Sequence, residues 1–206
     1  PKQLGVLVRQ IEAREVDIIV GTQMVTKGHH FPYLTCVGVI DADMGLAHGE
    51  LRAAERTFQL LTQVAGRAGR GTLAGTVWVQ SHDPSHPLFA ALARHDRDGF
   101  YALELEARRA FGDPPFGRQV GVLLDGLVER DVQQAGVALA KDFPAVDGVR
   151  LLGPAPAPVA KVRDRYKYRL LVKSTGALAL QGLVKAWVEQ VPLPRGVRVI
   201  VDVDPI

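Results

Sequence analysis

The spacing of apolar residues in the first half of the chain predicts helices that alternate with buried strands. Apolar residues recur at helical spacing within residues 3–14, and a second helical pattern runs from Glu50 into residues 63–70. Three short β-branched runs without polar alternation are predicted to be buried strands: DIIVGT at 17–22, TCVGVIDAD at 35–43 and GTVWVQSH at 75–82. Buried strands joined by helical crossovers are typical of a parallel α/β sheet.

The pattern changes after the sequence DPPFG at 113–117, where two prolines end a mostly helical stretch. Six further elements are predicted: a strand at 118–128, a helix at 130–143, an extended proline-marked stretch at 149–162, a strand at 166–174, a helix at 176–191 and a strand at 198–205. The order βαββαβ is the split-βαβ, or ferredoxin-like, pattern of a small α+β domain. We therefore predict two domains, residues 1–113 and 114–206.

Composition narrows the class of protein. The chain has 206 residues, one cysteine and a formal net charge of +3. A single cysteine rules out a disulfide framework and a zinc site built from several cysteines of this chain, and it fits a cytoplasmic, reducing compartment. No apolar run approaches the ~20 residues that a membrane span needs, and no signal peptide opens the sequence. Because the first residues read as the middle of a helix without an initiator methionine, we expect a piece of a larger protein.

The segment QVAGRAGR at 63–70 carries the first candidate chemistry. If the helix continues through it, Gln63, Arg67 and Arg70 lie on one face. Two guanidinium groups on a shared face repel each other, so the arrangement favours an anion, and arginine grips phosphate oxygens in a bidentate fork. Gly66 and Gly69 would each destabilise the helix by about 1 kcal/mol relative to alanine, but without side chains they would let another surface approach it closely. A solvated helix with incidental arginines is the alternative.

A basic stretch, KVRDRYKYR at 161–169, is the second candidate site, and the part of the chain that contains it holds the positive excess. From Phe116 onward, 13 Lys and Arg stand against 9 Asp and Glu, a balance of +4, which leaves 12 against 13, or −1, before it. Basic residues occupy every second position: Lys161, Arg163, Arg165, Lys167 and Arg169.

On a strand, residues two apart share a face, so these basic residues would form a stripe. A turn near Arg163–Asp164 is expected to interrupt it, which leaves at least Arg165, Lys167 and Arg169 on one face and the two intervening tyrosines on the other. A positive stripe suits single-stranded DNA, whose backbone it can follow electrostatically. The alternative is an exposed strand with solvated charges and tyrosines packed into the core.

These motifs resemble those of known helicases. QVAGRAGR is similar to motif VI (Q-x-x-G-R-x-G-R) of superfamily 2 helicases, and GTQMVTKGHHFP at 21–32 is similar to motif V. KGHHFP, DADMGL at 41–46, AERTFQLLTQVAGRAGR at 54–70 and DVDP at 202–205 together resemble more closely the primosomal helicases that restart bacterial replication. The resemblance covers essentially the whole chain. It implies that residues 1–113 are the later part of a RecA-like second helicase lobe and that the rest is a C-terminal DNA-binding domain.

The resemblance also implies roles for single residues. Arg67 and Arg70, with Gln63, match the fingers that stabilise charge on a transferring γ-phosphate. Thr22 matches a hydroxyl that bonds a DNA phosphate, and Lys27 could add charge to the same track.

Two further residues of motif V are implied to face the nucleotide. Gly28 matches a glycine that lets the backbone approach it. His30 stands where the wider superfamily often has an aspartate, and a neutral imidazole still donates or accepts one hydrogen bond. The adjacent pair His29–His30 has no third ligand at suitable spacing, so no metal site is expected.

Asp41 and Asp43 follow a predicted parallel strand, at the end where functional residues collect, but they could equally be turn and N-cap residues.

The expected activity is that of the C-terminal part of an ATP-dependent 3′-to-5′ DNA helicase that recognises stalled forks and restarts replication by primosome assembly. A DNA-binding scaffold for primosome assembly with a degenerate motor is the alternative, and an RNA helicase fits the context less well. ATP and Mg²⁺ would be bound mainly by the first lobe, because no G-x-x-x-x-G-K-[ST] loop or DExH box occurs here. The family's zinc module is also not in this chain, and the chain alone is expected to hydrolyse no ATP.

The expected partners are forked and single-stranded DNA, other primosome proteins and single-stranded DNA-binding protein, with no membrane. The expected location is cytoplasmic and nucleoid-associated.

Overall fold

The computed structural model describes residues 2–22, 31, 33–46, 50–69, 74–175 and 178–203. The chain divides into two compact units, Pro1–Phe100 and Tyr101–Ile206. This division falls within a helix that precedes the two prolines, and the domain boundary at residues 113 and 114 stays a prediction. Both units combine helices and strands, as expected for an α/β chain.

The first unit contains a two-stranded parallel sheet. Its elements are α1 (Lys2–Glu12), β1 (Cys36–Val39), a 3-10 helix (Ala42–Gly45), α2 (Ala53–Ala65), β2 (Thr76–Val79), α3 (Pro87–Ala93) and the first turn of α4 (Arg97–Phe111). Cys36 pairs with Thr76 and Val39 with Val79, so β1 and β2 run parallel. The predicted parallel pairing is therefore confirmed, and α2 lies in the crossover connection that parallel neighbours require.

Helix α2 supplies the largest share of the buried residues described in the first unit. It buries Thr57, Phe58, Leu61 and Val64, which recur at the three- and four-residue spacing of one helical face. Phe58 stacks on Phe100, with ring centroids 4.2 Å apart. An amphipathic face of this kind is the main reason why a helix of this length is stable in a protein.

The strand predicted at DIIVGT is wrong. Residues 18–22 have no regular structure, and the side chains of Ile18 and Val20 are 80% and 94% exposed. The strands that do form are only half covered, since Trp78 of β2 is 68% exposed and Cys36 of β1 is also exposed. A strand needs a neighbour for its backbone hydrogen bonds, and within the described residues DIIVGT has none.

The second unit is built on a four-stranded antiparallel sheet. After α4 come β3 (Arg118–Gly126), α5 (Glu129–Lys141), β4 (Val149–Val162), β5 (Arg165–Ser174), α6 (Leu180–Gln190) and β6 (Arg198–Val203). These elements follow one another in the predicted order, with small differences at their ends. The strands lie side by side in the order β4-β5-β3-β6, and each neighbouring pair is antiparallel.

Alternation along β3 and β5 builds the core of the second unit. Every second residue points toward the two helices and is almost completely buried: Val120, Val122 and Leu124 on β3, and Leu170 and Val172 on β5. Helices α5 and α6 pack on this face of the sheet, and the indole nitrogen of Trp187 donates to the carbonyl oxygen of Leu139 at 3.1 Å. The other residues of β3 and β5 lie on the opposite face, which we call the open face because neither α5 nor α6 covers it.

A two-residue turn connects β4 and β5. Arg163 and Asp164 have φ values of 49° and 60°, the left-handed conformation that two-residue hairpin turns adopt. The turn expected at these two residues is therefore confirmed. It starts β5 at Arg165, and this start sets which residues of the basic stretch face which side.

Candidate functional site

Helix α2 is followed by a turn at residues 66–69, which we call the arginine turn. The helix ends at Ala65, and the backbone N–H of Gly66 donates to the carbonyl of Thr62 at 3.0 Å. Gln63 lies exposed in the last helical turn, whereas Arg67 lies beyond the helix end. The prediction that these residues share one helical face is therefore wrong for Gln63 and Arg67, because the helix ends before Arg67. Arg70 lies outside the described residues.

Hydrogen bonds fix the turn against the sheet of the first unit. The N–H of Gly69, which has a φ of +70°, donates to the carbonyl of Leu34 at 3.0 Å. Next to it, the N–H of Thr76 donates to the carbonyl of Thr35 at 2.8 Å. The backbone that carries Arg67 is thereby tied to the segment that enters β1. Arg67 itself is half-buried, and its Nε is removed from solvent.

Of the four motif V residues with an implied role, Thr22 alone falls within the described part of the chain. It is exposed and directly follows Gly21 in a segment without regular structure. Lys27, Gly28 and His30 lie outside the described residues. The roles of these four residues in binding DNA or nucleotide stay predictions.

Asp43 joins the ends of the two parallel strands. One carboxylate oxygen accepts a hydrogen bond from the hydroxyl of Ser81 and the other accepts from the backbone N–H of His82, both at 2.7 Å. The hydrogen bond from Ser81, followed by that from His82, lowers the pKa of the Asp43 carboxyl below its ordinary value of 3.8. This geometry gives Asp43 a structural function, and Asp41, with a φ of 52°, stands at the N-terminus of the 3-10 helix.

We expect the stability of the first unit to depend on the ionisation of Asp43. Because the folded state lowers this pKa, the stabilisation is fully present above the ordinary value of 3.8 and is lost as the pH falls through the lower folded value. Asp43→Asn should therefore melt at a lower temperature than the unmodified chain at neutral pH. The gap should close in strong acid. Thermal melts followed by circular dichroism check this, and a gap that is independent of pH would contradict it.

The basic stretch is divided between the two faces of the sheet of the second unit. Arg165, Lys167 and Arg169 alternate with Tyr166 and Tyr168 along β5, and the tyrosines pack toward the helices. The three basic side chains therefore lie on the open face, as expected. Burial raises the pKa of the Tyr168 hydroxyl, which lies 3.3 Å from a carboxylate oxygen of Glu129.

Lys161 is not part of this stripe. In the register it lies opposite Tyr166, and directly opposed residues share a face. Its Nζ stands 5.0 Å from the centre of the Tyr166 ring and 3.3 Å from the carboxylate of Asp164. The hydrogen bond with Asp164 raises the pKa of Lys161. The turn at Arg163–Asp164 therefore interrupts the stripe, as expected, because it lies between Lys161 and β5.

Arg165 is held within the protein rather than solvated. Its Nε forms an ion pair with the carboxylate of Asp125 on β3, and its Nη2 donates to the backbone carbonyl of the same residue at 3.2 Å. The side chains of Arg165 and Asp125 are 23% and 14% exposed. The sequence does not reveal this pair, because the two residues meet only through the pairing of β3 with β5.

The open face is nevertheless strongly positive. The strand registers place six basic and two acidic residues on it, a net charge of +4: Arg150, Arg165, Lys167, Arg169, Lys173 and Arg198, with Asp125 and Asp202. Lys173 pairs with Asp113 from outside the sheet. Leu123, Leu152, Leu171 and Ile200 lie among these charges, and none of the aromatic side chains on β3, β5 or β6 faces this side. Such a surface can attract phosphates, and the strands themselves offer it no ring for stacking on bases.

We expect Arg165 and Lys167 to differ in their effect on stability. Arg165→Gln leaves a half-buried carboxylate without its guanidinium partner and should lower the free energy of unfolding by about 1–3 kcal/mol. Lys167→Gln removes the same charge two residues along and should change it by about 0.5 kcal/mol or less. Urea unfolding followed by the fluorescence of the buried Trp187 measures both. Equal losses for the two variants would show that the ion pair is not a special stabiliser.

Within the described residues, no group of three His, Cys, Asp or Glu side chains is placed to hold a metal ion. The helices there include none that is both long and apolar enough to cross a membrane.

Comparison with known proteins assigns relatives to both units. A family model described as "Primosomal protein N C-terminal domain" matches residues 109–206. Proteins named replication restart protein PriA are similar over most or all of the chain. The one from Rickettsia felis is 42% identical over 205 residues, which cover 100% of this chain and 32% of that protein.

More distant species carry similar proteins of the same name. That of Synechocystis sp. is 39% identical over 202 residues, covering 97% of this chain and 24% of its own length. That of Bacillus subtilis is 38% identical over 180 residues, covering 85% of this chain and 22% of its own length. The chain thus spans about a third of the length of these relatives, or less.

Proposed function

We propose that this chain works in replication restart and primosome assembly. Its residues 109–206 belong to the family of primosomal protein N C-terminal domains, and its full length aligns with replication restart protein PriA. The finer proposal is an ATP-dependent 3′-to-5′ DNA helicase that recognises stalled forks. The observation that supports it is the alignment across both units, which includes the arginine turn and the basic stretch at residues 161–169.

For the architecture, we propose that the first unit is the later part of a RecA-like lobe. The parallel pairing of β1 with β2 across helix α2 supports this assignment. We propose a ferredoxin-like fold for the second unit. The strand order β4-β5-β3-β6 and the two helices on one face support that assignment.

For the chemistry, Arg67 and Arg70 would stabilise negative charge on the γ-phosphate of ATP, with Gln63 beside them. Support comes from the position of Arg67, whose backbone is fixed by the hydrogen bond between Gly69 and Leu34. A fixed backbone allows a guanidinium to be placed before the reaction, which is what charge stabilisation in a transition state requires. Residues beyond this chain would bind ATP and Mg²⁺ for the most part and would hold the zinc of the longer protein.

For the nucleic acid, the open face of the second unit would contact the sugar–phosphate backbone of single-stranded and forked DNA. The net charge of +4 on this face supports the proposal. The tyrosines of β5 face the helices, so their rings are not available to stack on bases from this side. We further propose primosome proteins and single-stranded DNA-binding protein as partners, and a nucleoid-associated location in the cytoplasm.

We expect Arg67→Ala in the whole protein to lower the DNA-stimulated turnover of ATP by about 10³-fold or more, within the range known for arginine fingers. The affinities for ATP and DNA should change much less, because a finger acts mainly in the transition state. Steady-state kinetics together with equilibrium binding of DNA measure the difference. A loss of DNA affinity with intact turnover per bound complex would show that Arg67 contacts DNA and not the nucleotide. If the wild-type protein does not hydrolyse ATP, the helicase proposal fails and the alternative, a DNA-binding scaffold for primosome assembly, is supported.

We expect the paired change of Lys167→Gln and Arg169→Gln to weaken binding of single-stranded DNA by this chain. Each lost phosphate contact should reduce the slope of log affinity against log salt by about 0.7, so the pair should reduce it by about 1.4. The matched control is Lys141→Gln with Lys185→Gln, which removes the same charge from helices α5 and α6. Fluorescence anisotropy at several salt concentrations measures the slope. Equal slopes for both double variants would refute binding at the open face.

A further inference from the structure

A glycine outside the helicase-like motif QVAGRAGR packs against the arginine turn. Gly75 stands one residue before β2, and its backbone contacts that of Ala68 and Gly69. A Cβ atom built on Gly75 would have Gly69 N as its nearest neighbour, and it would lie 2.5 Å from the carbonyl carbon of Ala68 and 2.8 Å from the Ala68 Cβ. Two of these three neighbours are backbone atoms, which cannot move aside as the end of a flexible side chain can.

Gly69 and Gly75 each lack room for a side chain, but glycine is required at the two positions for different reasons. A Cβ on Gly69 would lie 2.6 Å from the backbone N of Gly75, and Gly69 also has a φ of +70°, which disfavours side chains in any case. Gly75 does not have a left-handed φ. Its backbone conformation is therefore open to other residues, and the demand for glycine at this position comes from space alone.

The turn is consequently held from two sides. On one side, the N–H of Gly69 donates to the carbonyl of Leu34, just before β1. On the other, the backbone of Gly75 lies against Ala68 and Gly69, just before β2. Arg67 directly precedes Ala68 and Gly69, so the position of its backbone depends on both contacts.

We propose that Gly75 is a positioning residue for the arginine turn: its lack of a side chain lets the turn seat between the entries to β1 and β2 and so sets the direction of Arg67. The proposal rests on the proposed role of Arg67 at the nucleotide. A Cβ at position 75 needs about 0.9 Å more room to reach an ordinary contact of 3.4 Å with the Ala68 carbonyl carbon. A misplacement of about 1 Å at a catalytic group can lower a rate about 10²-fold.

The kinetic experiment uses Gly75→Ala in the whole protein. We expect kcat for ATP to fall by about 10²-fold, with the KM for ATP and the Kd for DNA changed by less than about threefold. Gly182→Ala is the matched control, because it adds the same methyl group to α6 where no atom lies within 4 Å. A kcat equal to that of the control would overturn the proposal. A joint loss of kcat, DNA affinity and thermal stability would also overturn it, since it would mark a residue needed for the fold in general.

A structural experiment on this chain separates the proposal from the function on which it rests. In Gly75→Ala, amide hydrogen exchange should accelerate at least tenfold at Gly69, whose N–H bonds to Leu34, while the amides of α2 keep their protection. Unchanged exchange at Gly69, or protection lost throughout α2, would overturn the positioning role. Arg67→Ala is measured in parallel. If that variant keeps full turnover, the finger role fails, and the exchange result alone then decides whether Gly75 seats the turn.

Discussion

Side chains on a β-strand alternate between the two faces of a sheet, and this constraint assigns every residue of β5 to one face or the other. The even-numbered residues from Tyr166 to Ser174 face the helices, and the odd-numbered residues from Arg165 to Lys173 face the open side. A slip of one residue would exchange the two sets and bury Lys167 and Arg169 in an apolar core. Because burying an unpaired charge is very costly, the same alternation that creates the positive surface also protects the register of the sheet.

The ion pair between Arg165 and Asp125 shows how one basic stretch serves two purposes. Arg165, next to the turn, connects β5 to β3 through a half-buried carboxylate. Lys167 and Arg169 follow on the same face, and Arg198 lies opposite Asp125 on the other side of β3. The Asp125 carboxylate thus bridges β3 and β5 through Arg165, while the other cations leave the face with its positive charge. The hairpin combines a structural anchor with a surface suited to phosphates.

Local patterns predicted those features that local geometry determines. The order of the elements in the second unit, the turn at Arg163–Asp164 and the placement of the tyrosines opposite the basic residues of β5 follow from periodicity and turn chemistry. The parallel pairing of β1 with β2 follows from the helical crossover that joins them. The failures arise where partners distant in sequence decide. DIIVGT has the composition of a strand but no neighbour within the described residues, and the ion pair with Asp125 depends on strand registers that a single sequence does not reveal. Helix α2 ends at Ala65, two residues before Arg67, so the helical face predicted for Gln63 and Arg67 does not form.

The central claim is that the open face of the antiparallel sheet, and not its helical face, binds single-stranded nucleic acid. Nuclear magnetic resonance of this chain, isotopically labelled and titrated with a short single-stranded oligonucleotide, tests it directly. The account predicts shift changes at Lys167 and Arg169 and at Arg150 and Arg198 on the same face, with the amides of α5 and α6 unchanged. Shift changes confined to α5 and α6, with the open face silent, would contradict it.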